Sequence, residues 1–333
     1  MTRADVLGPP LSPVARGASA CLLGIVAAAY VVLFYRSQSA LAVSDFDAIW
    51  TGARALRVGS DPYAVVQSPP WPWRLEYPLP AVLVALPFSF LPLRLARAAF
   101  MGVSTALLAL GLTRRGWWPL ITLAGGPFLF ALQSVQWTPL LAAGVLITPL
   151  RGLWAVKPTS GLSLFAAYPN RWTVLGAIVL FGLAFLVWPQ WPAGWLAAVR
   201  VAQHEAAVVR AGGVLLLLAL LRWRLPEGRQ LATLALVPLS PHLYEALPLA
   251  LVARSRRELL ALTLCGTVGL AVWAVAPRAP GPDHGPIPWL IVLGSAYLPA
   301  MLVVLRHPAR ASVRPEPFQP ILSPAAPPSA PRP

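Results

Sequence analysis

Eight apolar runs of nearly membrane-spanning length divide this chain, at 17–35, 96–112, 117–134, 137–150, 172–189, 208–223, 259–276 and 288–305. A helix needs about 20 apolar residues to cross the hydrocarbon core of a bilayer. Within lipid, every backbone N–H and C=O has to be satisfied by the protein itself, which restricts spanning structures to helices and closed barrels. Runs without two-residue alternation make helices, so the expected fold class is an all-α polytopic membrane protein. Of the 333 residues 57% are hydrophobic and 11% charged, where a soluble domain carries about 25% charged residues. That balance excludes a soluble globular enzyme and a disordered protein alike.

Three further apolar stretches are broken by proline: 79–93 by Pro80, Pro87 and Pro92, 152–169 by Pro158 and Pro169, and 230–252 by Pro238, Pro241 and Pro248. Proline removes a donor and kinks a helix, and broken backbone at membrane depth survives only when protein or a water-filled cavity covers it. The charge pattern adds topology. Twenty-six basic residues against 11 acidic ones give +15, and Lys157 is the one lysine among them. The arginines lie between the apolar runs rather than in one stripe, which is the cytoplasmic-loop bias of membrane proteins and not the basic patch that nucleic-acid binding requires. Placing Arg114–Arg115, Arg151, Arg171, Arg222–Arg229, Arg254–Arg257 and Arg306–Arg314 on one side demands an even number of crossings between clusters. Intervals 152–170 and 230–252 are too short for two full spans, so both are expected as shallow or bent hairpins with polar tips toward the outer side.

The resulting layout has a cytoplasmic N-terminus at 1–16, a transmembrane domain at 17–307 and a disordered, proline-rich cytoplasmic tail at 308–333. The first run follows Arg3 and Arg16, and Ala40-Leu41-Ala42 looks like a signal cleavage site. At 19 residues the run exceeds a signal core of roughly 7–15, so an uncleaved first span is expected. Segment 37–78 becomes a long first extracytoplasmic loop. It holds four of the eleven acids, Asp45, Asp47, Asp61 and Glu76. Trp188, Trp191 and Trp195 mark a second outer rim, since Trp favours interfaces. Cys21 and Cys265 lie in apolar runs with no metal-ligand spacing.

Several polar residues stand out against this background. From Asp45 to Leu56, Phe46, Ile49, Trp50, Ala53 and Leu56 recur at helical spacing, the pattern of a short amphipathic helix lying on the membrane. Asp45 falls at its start, where an acid serves equally as a cap or as a catalytic group. Gly59-Ser60-Asp61-Pro62-Tyr63 reads as a turn. Gln136, between two runs, either faces a cavity or bonds a helix end. Lys157 is costly in an apolar setting unless paired or wet. It either meets a phosphate or snorkels to a headgroup. Ser240-Pro241-His242-Leu243-Tyr244-Glu245 places polar side chains in the middle of a broken stretch, and His204-Glu205 is a weaker candidate.

The order of these motifs resembles a bacterial membrane family. The residues that carry the likeness are Asp45-Phe46, Trp50, Ala53-Arg54-Ala55-Leu56, Gly59-Ser60-Asp61-Pro62-Tyr63 and Tyr77-Pro78-Leu79. Gly152-Leu153-Trp154-Ala155-Val156-Lys157-Pro158 is similar to a Gly-x-x-x-x-Lys-Pro segment, and Ser240-Pro241-His242 to a late Ser-Pro-His-type motif. Together, over residues 15 to about 255, they resemble glycosyltransferase family 87, the polyprenyl-phosphate-mannose-dependent alpha-mannosyltransferases formerly grouped as a domain of unknown function. The chain departs from that pattern in having Val135-Gln136 where the family commonly has Gly-Gln, and in the short stretch from Gln136 to Lys157.

The resemblance implies a GT-C-type glycosyltransferase fold with about 8–11 transmembrane or re-entrant helices in a bacterial inner membrane, its active site extracytoplasmic. It implies transfer of a hexose, mannose in the family, from a polyprenyl-phosphate donor to a glycolipid or glycan acceptor. Asp45 is then the general base, with Asp47 beside it. Lys157 is the first choice to hold the donor phosphate, followed by His242, Tyr244, Arg200 and Arg210. Gln136, Glu245 and Tyr77 are expected to line the cavity. Asp45-Phe46-Asp47 also reads as a D-x-D metal motif, but a lipid-phosphate donor has no diphosphate to bridge, so no metal or other cofactor is expected. Two rival classes are a lipid or glycolipid flippase and a non-catalytic scaffold derived from a transferase.

Overall fold

A computed structural model describes residues 9–308 apart from 10, 39–41, 68–70, 72–73, 203 and 278–285. The expected disordered tail, the first eight residues and Ala40-Leu41 of the cleavage-like site fall outside the described residues. The described chain is helical, and among the described residues its β pairing is limited to an isolated bridge between Ala206 and Pro238. Helices α1 (Pro13–Ser37), α2 (Asp45–Arg57), α3 (Pro62–Gln67), α4 (Leu79–Ala85) and α5 (Leu93–Leu112) make the first part. Next come α6 (Gly126–Ser134), α7 (Thr138–Leu146), α8 (Pro158–Ala167), α9 (Arg171–Val187) and α10 (Trp191–Ala202). The last are α11 (Pro226–Leu236), α12 (Arg256–Val275), α13 (Pro286–Val292) and α14 (Leu298–Arg306). Among the described residues, four helical segments are long and apolar enough to cross a membrane: Pro13–Ser37, Leu93–Arg115, Arg256–Val275 and Pro286–Arg306. The pair α9 and α10, bent by 107°, makes a fifth if read as one broken span. The protein is an all-helical membrane protein.

Helices α1 and α5 pack at small residues. A Cβ on Gly24 would lie 2.7 Å from the Gly102 carbonyl oxygen, with Ala106 beside it. Only glycine permits this approach, and close backbone packing is what drives helix association where lipid removes the hydrophobic incentive.

Three of the eight apolar runs are not continuous helices. Run 117–134 splits into a 3-10 segment, Trp118–Ala124, and α6 at Pro119 and Gly125-Gly126. Run 137–150 stops at Leu146 and re-forms as a 3-10 helix over Thr148–Val156, with Pro149 in its first turn. Run 208–223 breaks at Gly212, whose φ of +73° is left-handed, and continues as a 3-10 helix over Gly213–Arg222. Among the described residues, four or five segments are full-length spans and the rest are shorter helical pieces.

Helix α2 corrects a second expectation. Its apolar face meets protein, not lipid. Phe46, Ile49 and Ala53 are fully buried, and Phe46 stacks on Phe100 with ring centroids 4.5 Å apart. The Trp50 indole donates to the carbonyls of Phe88 and Leu91, both at 3.2 Å. Ring packing and the two indole hydrogen bonds hold this face against protein. Trp191 and Trp195 turn inward too, Trp191 packing on Phe181 and Phe185.

Five arginines, Arg16, Arg114, Arg151, Arg222 and Arg229, mark one end, where they close helix C-termini. Arg16 donates to Leu110 O of α5, and Arg114 to Leu146 O of α7. Arg151 donates to Gly144 O and Val145 O, also of α7. Arg229 donates to Ala166 O and Ala167 O of α8, and Arg222 to Leu305 O of α14. A cation at a helix C-terminus satisfies orphan carbonyls and complements the dipole.

Candidate functional site

Two hairpins rise from the arginine end. In the first, the 3-10 helix Thr148–Val156 leads up to Lys157, and α8 returns from Pro158. Pro158 suits the first helical position, and the residue before a proline is held extended. In the second, α11 leads up, residues 237–242 turn over, and a 3-10 helix, Leu243–Val252, returns. Arg151 donates to Tyr168 O across the base of the first hairpin at 3.5 Å. An Arg254–Glu227 ion pair of 3.2 Å closes the second. Both intervals fold back on themselves as hairpins. Helices α7 and α8 have nine and ten residues, about 15 Å at 1.5 Å per residue. That is roughly half of the ~30 Å hydrocarbon thickness.

The tips meet. Lys157 Nζ lies 2.5 Å from Glu245 Oε1, and Ser160 Oγ donates to Glu245 Oε2 at 2.8 Å. Lys157 also donates to Gln136 Oε1 at 3.3 Å, and the Tyr77 hydroxyl reaches the same oxygen at 3.3 Å. The Gln136 amide nitrogen donates to Asp45 Oδ2, and the Tyr244 hydroxyl donates to that oxygen at 3.3 Å. Above this network opens a cavity of about 880 Å³, whose lining includes Asp45, Tyr77, Lys157, His242, Tyr244 and Glu245. Its outer wall includes Arg74, Glu76, Trp195, Arg200 and His204. His204 Nε2 meets Glu76 Oε2 at 2.9 Å, and the Trp195 indole donates to Glu76 O. The His242 ring stacks on Tyr244.

Gln136 is aimed by an unusual turn. Helix α6 ends with Gln136 N bonded to Ala131 O at 2.9 Å and Val135 N to Leu132 O at 3.3 Å, the paired bonds of a Schellman cap. Val135 occupies the left-handed position at φ 51°, where a β-branched residue costs roughly 1–2 kcal/mol. Strain held next to a site is a pointer to function.

Asp45 is the first residue of α2, but capping falls to its neighbours. Ser44 is the N-cap, and Asp47, at the third helical position, bonds back to Ser44 N at 2.8 Å. Asp45 is left to face the cavity. Burial there pushes its carboxyl up to about 6, partly offset by the Lys157 charge and the Tyr244 hydroxyl. A carboxylate of that kind is deprotonated at neutral pH and still basic enough to take a proton.

Two expected site residues are elsewhere. Asp47, proposed beside Asp45 as catalytic, is buried and paired with the Arg97 guanidinium. Successive odd positions on a helix diverge, so the D-x-D carboxylates do not converge on one point. Arg210 lies 3.9 Å from Glu205 and over Trp289, outside the cavity lining. Asp45, Lys157, His242, Tyr244, Glu245, Tyr77 and Arg200 line the cavity together. Gln136, expected to line it as well, is fully buried behind the lining, where it bonds Asp45 and Lys157. Sequence reasoning missed Arg74 and Ser160. Ser160 was legible as one helical turn beyond Lys157, while Arg74 had no local signal. No protein-family model, curated protein or solved structure matches this chain.

Proposed function

We propose that this chain is a membrane glycosyltransferase that moves a hexose, mannose by family resemblance, from a polyprenyl-phosphate donor to a glycolipid or glycan acceptor. The observation that carries the reading is Asp45, a carboxylate raised to about 6, facing the cavity opposite the Lys157–Glu245 pair. In a single displacement, Asp45 takes the proton from an acceptor hydroxyl. The oxygen attacks the anomeric carbon, the bond to the phosphate oxygen breaks, and polyprenyl phosphate leaves with inversion. The leaving group is already an anion, so it needs electrostatic stabilisation rather than protonation. Lys157 is largely neutralised by Glu245 before substrate arrives, which shifts weight to Arg200, Arg74, His242 and the Tyr244 hydroxyl for the phosphate. With the arginine end cytoplasmic by the positive-inside rule, the cavity opens to the extracytoplasmic side of a bacterial inner membrane. The GT-C fold remains part of this proposal.

Asp45→Asn tests it. The purified chain in liposomes, given radiolabelled polyprenyl-phosphate-mannose and a glycolipid acceptor, is expected to lose at least about 100-fold in rate, the lower range for a general base. An unchanged rate refutes the base. Two proline-broken hairpins meeting at their tips also favour a second reading, a lipid transporter, because such broken segments build transport sites. Movement of labelled lipid between leaflets without sugar transfer supports that reading instead.

A further inference from the structure

The two oxygens of Asp45 are not equivalent. Gln136 Nε2 and the Tyr244 hydroxyl both donate to Oδ2, so Oδ1 is the oxygen left for an incoming hydroxyl. The Gln136 amide can point only one way. Its Oε1 accepts from Lys157 Nζ, an ammonium that donates and never accepts. A flipped amide would set donor against donor at Lys157 and oxygen against oxygen at Asp45. Lys157 in turn is held by Glu245 from the other hairpin, and Gln136 is fully buried on the strained Val135 turn. We propose that Gln136 is a positioning residue: with its amide oriented by Lys157, it holds Oδ2 of Asp45 and dedicates Oδ1 to the acceptor hydroxyl. This rests on the reading of Asp45 as the base. It gives the hairpin tips a task besides phosphate binding, since a displaced Lys157 or Glu245 releases the amide and with it the carboxylate.

A donor to the charged form of a carboxylate favours that form, so removing it raises the titration midpoint. The titratable groups that face Asp45 are Lys157, Tyr244, Tyr77, Tyr35, Glu76 and Glu245, and Gln136→Leu alters none of their charges. The test is an infrared pH titration of the full chain in nanodiscs, with the Asp45 carboxyl band assigned as the one lost in Asp45→Asn. The Gln136→Leu midpoint is expected about one pH unit above the wild-type value, and the acid limb of kcat/KM for transfer is expected to move up equally with donor KM unchanged. Gln136→Met, closer in length, serves if the leucine variant does not fold. An unchanged midpoint in a folded variant overturns the proposal. The titration needs no turnover. Transfer surviving Asp45→Asn therefore sinks the base reading and with it the acceptor role of Oδ1, whereas an unmoved Gln136→Leu midpoint sinks this inference and leaves the base reading standing.

Discussion

Lys157→Met should be the most damaging single change at the hairpin tips, and its cost can be worked from the structure. Lys157 and Glu245 are 9% and 2% exposed and lie 2.5 Å apart. Deleting the ammonium strands a buried carboxylate with Ser160 as its remaining donor. Breaking a buried pair from one side costs about 3–5 kcal/mol. The reverse deletion, Glu245→Gln, should cost less, about 1–2 kcal/mol. Lys157 then keeps the Gln136 oxygen and the faces of Tyr244 and Tyr77, at 5.1 and 5.9 Å. The double variant removes both charges and should recover most of the loss, giving a coupling energy of about 2 kcal/mol or more. Equilibrium unfolding in mixed micelles, read by tryptophan fluorescence, measures all three variants. A Lys157→Met cost below about 1 kcal/mol, or strictly additive effects, would refute the argument that the hairpins are clasped through this pair.

Other consequences can be measured separately. Transfer should fall as pH drops through about 6, because a protonated Asp45 cannot accept a proton; a rate flat from pH 5 to 8 contradicts this. Arg97→Met strands the buried Asp47 and should cost about 3–5 kcal/mol of stability, while the folded fraction keeps its pH profile; a displaced profile would bring Asp47 back into the chemistry. At Val135, glycine relieves the left-handed strain that alanine keeps, so Val135→Gly should be no less stable than Val135→Ala, the reverse of the order in a helix interior. Thermal unfolding ranks the two. Transfer should persist in a metal chelator, since Asp47 is engaged by Arg97 and the two carboxylates of Asp45-Phe46-Asp47 diverge; complete loss of rate in chelator contradicts that.

Much of the architecture was legible because it follows from counting. Run length gave the membrane class, and the parity of crossings between arginine clusters gave the hairpins at 152–170 and 230–252. The broken helices were harder to read. Pro119, Pro149 and Gly212 interrupt runs whose hydropathy is unbroken, and hydropathy does not register a backbone break. The partner of an amphipathic face was illegible as well. The stripe of Phe46, Ile49 and Ala53 fits lipid and protein equally, and Phe88 and Phe100, distant in sequence, decide for protein. At the site, Asp45 and Lys157 stood out by composition. That Lys157 meets Glu245 could not be read, because 88 residues separate them. The split of Asp45 and Asp47 into a cavity group and a cap needed the helix start and Arg97, 50 residues away.

The central claim, that one cavity brings a lipid-linked sugar to Asp45, is tested most directly by a structure of the protein bound to a non-hydrolysable polyprenyl-phosphonate hexose. The account predicts the sugar inside the cavity, its anomeric carbon reachable by a hydroxyl bonded to Asp45 Oδ1, with the phosphonate toward Arg200, Arg74 and His242. A sugar bound outside the cavity, or held with its anomeric carbon turned away from Asp45, would contradict it.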